Sequence, residues 1–256
     1  MPPMNASLHT EEPPASSVDK SQPRVQRMFG QIAGRYDLLN RVMTGGLDVL
    51  WRRRTVREAP PAAEGPLRGR PILDVCCGTG DLAFEYQRAA AGTGARVIGT
   101  DFTPEMLALT EPKQPAASEQ RVDYALADTL ALPFAEQTFQ IVAAAFGLRN
   151  VADTRGGLAE MARVLAPGGH VAILECSTPE NPLVRRLAPL HTRVVVPVVG
   201  QLLNRNASAA YQYLPDSVAE FPSGPALVEM MTGVGFREVR YHPLMLGVVT
   251  LYVGRR

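Results

Sequence analysis

Asp74, Asp101 and Asp128 each stand at or beside the end of a strand-like run, and the glycine turn Gly78-Thr79-Gly80 follows the first of them. Glycines at a strand-to-helix junction permit positive φ and close approach of a ligand to the backbone. The helix that starts at Asp81 adds exposed N–H groups. The spacing Gly78-x-Gly80-x-x-Ala83 fits a dinucleotide turn, and it also fits a tight turn with no ligand. Asp101 ends the second strand, about twenty residues on, where a carboxylate can accept both ribose hydroxyls. A dehydrogenase and a methyltransferase share that feature. Asp74 separates them. Inside the first strand, just before the turn, it is poorly placed beside a pyrophosphate. It suits a ligand with an ammonium and sulfonium end, by opposite-charge pairing. Ala127-Asp128 follows the third strand, placed for an adenine amino group.

The elements that must position these groups alternate. Strands are expected at Ile72–Val75, Arg96–Thr100, Asp123–Leu126, Phe139–Ala145 and His170–Cys176. Helices are expected at Asp81–Ala90, Pro104–Thr110, Thr154–Leu165 and Ser223–Val234. This βαβα order implies an α/β fold with a parallel sheet covered on both faces. The end of the chain reads as two strands around a turn near Pro243–Gly247, an antiparallel hairpin edge. From Val25 to Arg57 the apolar spacing is helical, broken at Gly45-Gly46. Residues 178–222 are apolar and Pro-punctuated, and read as an insertion after the fifth strand. The expected organisation is a disordered tail at 1–23 and one domain at 24–256, with helices at 24–60 forming a lid.

Composition narrows the function classes. The net charge of +1 gives no global field for nucleic acid. The cluster Arg52-Arg53-Arg54 with Arg57 reads as a solvated helix face. Three cysteines, two of them adjacent, make a disulfide framework unexpected and point to a reducing, cytoplasmic compartment. Cys76 and Cys77 read as small core residues. No CxxC pair suggests zinc. No apolar run reaches the roughly 18 residues of a membrane span. The N-terminal stretch lacks the apolar segment of a signal peptide and the Arg-rich character of a transit peptide.

The carboxylates and the glycine turn resemble the class I S-adenosylmethionine-dependent methyltransferases. Three further stretches narrow the resemblance: "YDLLNRVMTGGLDVLW" (36–51), "FGLRNV" (146–151) and "RVLAPGGHVAILECS" (163–177). They are similar to the signatures of the ubiquinone/menaquinone biosynthesis C-methyltransferase family, of the demethylmenaquinone methyltransferase type, and "YQYLPDSVAEFP" (211–222) fits as well. The chain departs from the usual signatures at Asp48, where histidine is common, and at Thr44 and Ala166. The resemblance implies a Rossmann-like, mostly parallel seven-stranded sheet with a C-terminal antiparallel hairpin. It implies that Asp74, Gly78, Thr79 and Gly80 surround the methionine part of S-adenosylmethionine. Asp101 would hold the ribose, Ala127 and Asp128 the adenine, and Phe102 and Ala145 complete the cofactor-binding set.

The implied reaction is methyl transfer to a ring carbon of a polyprenyl quinol in menaquinone, or also ubiquinone, biosynthesis. A sulfonium methyl is already electrophilic, so the expectation includes no metal. The nucleophile must be made by deprotonating a phenol next to the target carbon. Arg149 and Asn150 stand past the fourth strand, and Tyr36 on the N-terminal helices; the three are the candidate catalytic residues. Arg149 cannot ordinarily act as base but can stabilise a phenolate. His191, in the insertion, reads as structural. The apolar run around Val194 to Gly200, with Arg185, Arg186 and Arg193, suits peripheral contact with the inner face of a membrane. A homodimer interface is the other use of that surface. Two rival functions are methylation of a different small molecule and NAD-dependent oxidoreduction.

Overall fold

The structure, a computed structural model, describes residues 18–117, 121–190 and 208–256. Strand β1, Ile72–Val75, is buried along its whole length, as a strand covered on both faces must be. It lies between β2 (Val97–Asp101) and β4 (Phe139–Ala145) and runs parallel to both. β3 (Asp123–Leu126) pairs with β2, and β5 (Leu165–Cys176) with β4, again in parallel. β7 (Val249–Arg255) is antiparallel to β5 and to β6 (Arg237–Leu244). The order is β3-β2-β1-β4-β5-β7-β6, the expected seven-stranded sheet with its C-terminal antiparallel hairpin. The chain leaves β1 toward one edge and returns to β4, so a crevice opens at the carboxyl ends of these two strands.

Alternation along the central strands sends side chains to two cores. Leu73, Val142 and Ile173 pack with Met161 and Phe236 on one face. Ile72, Val97 and Ile141 pack with Leu82 and Tyr86 on the other. Helix α4 (Asp81–Ala89) follows the glycine turn, α5 (Pro104–Leu107) follows β2, and α6 (Thr154–Val164) follows β4. The N-terminal helices are α1 (Gln22–Ile32), α2 (Tyr36–Thr44) and α3 (Leu47–Glu58). Around the insertion lie α7 (Pro182–Leu190) and α8 (Ser208–Glu220), then α9 (Pro225–Gly233). His191, Arg193 and the run 194–200 lie outside the described residues.

Three differences from the sequence reading have local causes. β5 begins at Leu165, five residues ahead of His170, because Leu165 pairs with Phe139 and the "APGG" stretch forms an irregularity inside the strand. Helix α5 stops at Leu107, and a 3-10 turn at Glu111–Lys113 carries Pro112 in its place. α1 starts at Gln22, within the stretch read as tail, and the Val18 amide donates to Glu220 at 3.0 Å.

Candidate active site

At the end of β1, the chain turns through Cys76 at φ +52°, a left-handed conformation unusual for a side-chain-bearing residue. Gly80 then takes φ +86°, and a methyl group there would collide with Tyr124; only glycine fits. The Gly78 amide donates to Asp101 at 2.9 Å and the Thr103 amide to the same carboxylate at 2.8 Å. Asp101 therefore braces the glycine turn from the tip of β2. Burial pushes its pKa above the ordinary carboxylate range, against those two amides.

Asp74 lies within β1, between Gly99 and Ala143 of its neighbours. It is 0% exposed, and neither carboxylate oxygen has a close hydrogen-bond partner among the described residues. Burial pushes its pKa up to about 8, partly countered by the Arg52 charge. A buried carboxylate without partners is costly, and a cation brought close to it lowers that cost. Asp128 caps its own turn, accepting from the Leu130 amide at 3.0 Å. It also accepts from the Gln22 side chain of α1. The Ala127 amide donates to the Asp101 carbonyl at 3.0 Å, tying β3's end to β2's.

The other half of the site follows β4. Phe146 has φ +60°, and the turn continues into a 3-10 segment, Leu148–Asn150. Gly147 sits against Cys76 so closely that a methyl group at 147 would overlap the cysteine Cβ. Arg149 is 6% exposed and Glu175, in β5, is 0% exposed. Arg149 Nη1 contacts Glu175 Oε1 at 2.8 Å and donates to the Phe146 carbonyl at 2.5 Å. The amides of Arg149 and Cys176 donate to the same carboxylate, at 3.2 and 2.8 Å. Burial alone would lower the Arg149 pKa; Glu175 outweighs it, and the net direction is up. Arg149 is a permanent cation. Its Nε and the Asn150 Oδ1 are buried without hydrogen-bond partners among the described residues.

Both halves meet under the N-terminal helices. A cavity of about 40 Å³ is lined by Gly78, Asp101 and Phe102 from the donor side, Asn150 from β4's end, and Phe29 and Tyr36 from above. Asp74, Thr79, Gly80, Ala127, Asp128, Ala145 and Arg149 do not line it. Burial raises the Tyr36 pKa, so the phenol is neutral at physiological pH. The helices are fastened by charge. Asp37 accepts from Thr79 Oγ1 and from Lys113 Nζ, each at 2.5 Å. Lys113 also reaches Asp81 at 3.0 Å, and Arg41 reaches Asp81 at 2.7 Å. Asp48, 1% exposed, pairs with Arg52 at 2.5 Å and with Arg41. Arg52 is thus buried, unlike Arg53 and Arg57, and the reading of the arginine cluster as a solvated face fails for that residue. A second cavity, about 1230 Å³ beside β2 and β3, shares no residue with this one.

Sequence reasoning missed Glu175, Arg52 and the Asp37–Lys113 contact. The Asp48/Arg52 spacing of four was a signal for a helical ion pair. Glu175 gave none, since its partner is twenty-six residues away. Cys76 and Cys77 have thiol pKa values pushed up by burial, which disfavours thiolate chemistry. Among the described residues no three His, Cys, Asp or Glu side chains are grouped to hold a metal.

The sequence model described as the ubiE/COQ5 methyltransferase family matches residues 17–256. The chain belongs to that family. A ubiquinone/menaquinone biosynthesis C-methyltransferase of Geotalea daltonii is 43% identical over 234 residues, 91% of this chain and 96% of that protein. A demethylmenaquinone methyltransferase of Deinococcus radiodurans is 43% identical over 242 residues, 94% of this chain and 96% of that one. In fold, the chain is similar to an S-adenosylmethionine-dependent methyltransferase of Thermotoga maritima. The TM-score is 0.62 at 17% identity, covering 90% of this chain and 98% of that one. The members of this ubiE/COQ5 family have a donor with a cationic end to hold, and the chain's residues fit such a group. The unpartnered Asp74 carboxylate offers the opposite charge, and the Gly78–Gly80 turn offers backbone N–H groups at a helix start.

Proposed function

We propose that this family member methylates a ring carbon of a polyprenyl quinol, with demethylmenaquinol as substrate and menaquinol as product. The enzyme is an S-adenosylmethionine-dependent C-methyltransferase of quinone biosynthesis. The observation that carries the substrate reading is the buried Arg149–Glu175 pair with Asn150 at the crevice, in a chain whose 43%-identical relatives are named for quinone methylation.

S-adenosylmethionine, when bound, supplies a sulfonium methyl that is electrophilic without a metal. On this reading Asp74 faces the cationic end across the turn made by Gly78, Thr79 and Gly80. Asp101 has a free lone pair on each oxygen, so ribose hydroxyls add to it while Gly78 and Thr103 stay bound. Phe102 and Ala145 flank the donor. Ala127 and Asp128 take the adenine, and the Gln22 amide, which offers Asp128 the same kind of donor as an adenine amino group, must yield. The cavity is small against the roughly 300–1,000 Å³ of ligand sites, so residues 24–60 act as a lid that opens for the donor.

On the acceptor side the phenol proton leaves first. Arg149 holds its own protons, so it does not accept this one. It stabilises the phenolate that forms, in a dry environment where such stabilisation is strong. Asn150 orients the water that carries the proton away. Tyr36 covers the ring and excludes bulk water.

The substrate's isoprenoid tail belongs in a bilayer, and peripheral contact with a membrane follows. Exposed Leu38, Val42 and Leu50 on α2 and α3, and Met245 and Leu246 at the β6–β7 turn, supply apolar surface. Residues 178–222 form the substrate-side insertion. No helix among the described residues is long and apolar enough to cross a membrane. Residues 24–256 act as one domain.

Quinone extraction from cells lacking this protein tests the substrate. Accumulated demethylmenaquinone supports the reading; a normal quinone pool sinks it. Arg149→Lys keeps the charge and loses the fork geometry. Its kcat is expected to fall about 10²–10³-fold, with S-adenosylmethionine affinity within twofold.

A further inference from the structure

Tyr213, on α8, is 6% exposed, and its hydroxyl is buried with no hydrogen-bond partner among the described residues. The helix that carries it packs on the 3-10 segment Leu148–Asn150 and on α1. Tyr213 lies within electrostatic reach of Arg149 and Glu175. Leu214, its neighbour, packs against the Ile32 and Leu39 cluster of the N-terminal helices, as Tyr36 does. Three polar atoms without partners among the described residues, the Tyr213 hydroxyl, the Asn150 Oδ1 and the Arg149 Nε, thus belong to two elements that pack against each other. Buried polar atoms in folded proteins are nearly always paired. Orphans on two packed elements, one of them lining the cavity through Asn150, point to a polar group that arrives from outside.

The three are complementary to one chemistry. Arg149 Nε and the tyrosine hydroxyl are donors, and the Asn150 oxygen is an acceptor. Together they suit a phenol that becomes a phenolate: the acceptor serves the O–H form, the donors the anion. Burial pushes the Tyr213 pKa up to about 12, so the group stays a neutral donor at physiological pH.

We propose that Tyr213 is a second substrate-contacting phenol, which donates a hydrogen bond to the quinol oxygen that Arg149 stabilises. This rests on the quinol reading above. α8 then closes the acceptor side as α2, through Tyr36, closes it from the opposite lid element. The hydrogen bond strengthens as negative charge develops on the oxygen, so its loss falls on kcat more than on KM.

The test uses purified full-length enzyme and its Tyr213→Phe variant, with demethylmenaquinol carrying a short isoprenoid tail as acceptor. Phenylalanine keeps the packing and removes only the hydroxyl. The variant is expected to lose about tenfold in kcat/KM, mostly in kcat, equivalent to about 1.4 kcal/mol. Its S-adenosylhomocysteine affinity stays within twofold of wild type. Its thermal midpoint without ligands is equal or higher, because an unpaired buried hydroxyl has been deleted. Turnover within twofold of wild type overturns the proposal. So does a lower thermal midpoint, which would make the hydroxyl a structural group. If the wild-type enzyme binds S-adenosylhomocysteine yet methylates neither a naphthoquinol nor a benzoquinol, the substrate reading itself falls and takes this inference with it. That failure appears in the wild-type control, before the variant is compared.

Discussion

Among the described residues, two carboxylates have no exposed surface, and their situations are opposite. Glu175 in β5 meets the Arg149 guanidinium and the amides of Arg149 and Cys176. Asp74 in β1 has no close hydrogen-bond partner among the described residues, only the weak pull of the Ala83 amide and the Arg52 charge. Both lie in the same parallel sheet at the same crevice. The Glu175 region is electrostatically closed, its charge met by the Arg149 guanidinium and two amides. The Asp74 region is open: burial favours the uncharged carboxyl, and a cationic group brought close would favour the carboxylate. One carboxylate serves the fold and the other stores a demand. The same buried residue type does two jobs because desolvation is answered by neighbours in one case and left standing in the other.

Breaking the closed region has the largest effect. Glu175→Ala leaves Arg149 buried and unpaired, and is expected to cost about 3–5 kcal/mol of stability, read from urea unfolding. A loss under about 1 kcal/mol would show that the pair is not the structural anchor described.

Asp74→Asn sharpens the open region. Donor affinity falls about tenfold or more, by calorimetry with S-adenosylhomocysteine and S-adenosylmethionine, and the larger loss is for the sulfonium compound. Stability moves the other way. The folded pKa of Asp74 stands at about 8 against an ordinary 3.8. The favourable contribution is therefore complete below the unfolded value and is lost as pH rises through about 8. The wild-type thermal midpoint should decline across that window, and the variant's should decline less. Parallel curves would mean that Asp74 is not held uncharged in the free protein.

The smallest effect concerns the lid above both regions. Lys113, Asp37 and Asp81 are partly exposed, and such pairs contribute about 0.2–1 kcal/mol and are screened by salt. Lys113→Ala, or 0.5 M salt, should raise the rate of S-adenosylhomocysteine binding a few-fold in stopped-flow fluorescence while leaving the thermal midpoint almost unchanged. An unchanged binding rate would remove these ion pairs from lid control.

How much of this was legible differs between the two regions. β1, β3 and β4 stand at the residues expected; β1 and β4 are buried apolar strands, a local signal, whereas β3 lies at the sheet edge with Asp123 and Leu126 exposed and was placed by the β–α alternation around it. Asp74, Gly78 and Asp101 were readable for the same reason: each is defined by its distance along the chain from a strand end. The closed region was not. Glu175 sits in "HVAILECS", where it reads as one more strand residue, and its meaning comes from a guanidinium that another strand delivers. Tyr213 needed α8 folded back over β4's end. Arg52 read as solvated because three arginines in a row suggest water, whereas one helix face turns inward and finds Asp48.

The contact between Gly147 and Cys76 joins the two regions more rigidly than any charge does. Both flanking turns hold side-chain-bearing residues, Cys76 and Phe146, at positive φ, and the turns touch with no room for a methyl group between them. On the proposed function, this contact is a spacer between methyl source and carbon target, a bulkier or slimmer ring has to be accommodated from above, and the breadth of acceptors is then set by α1, α2 and α8.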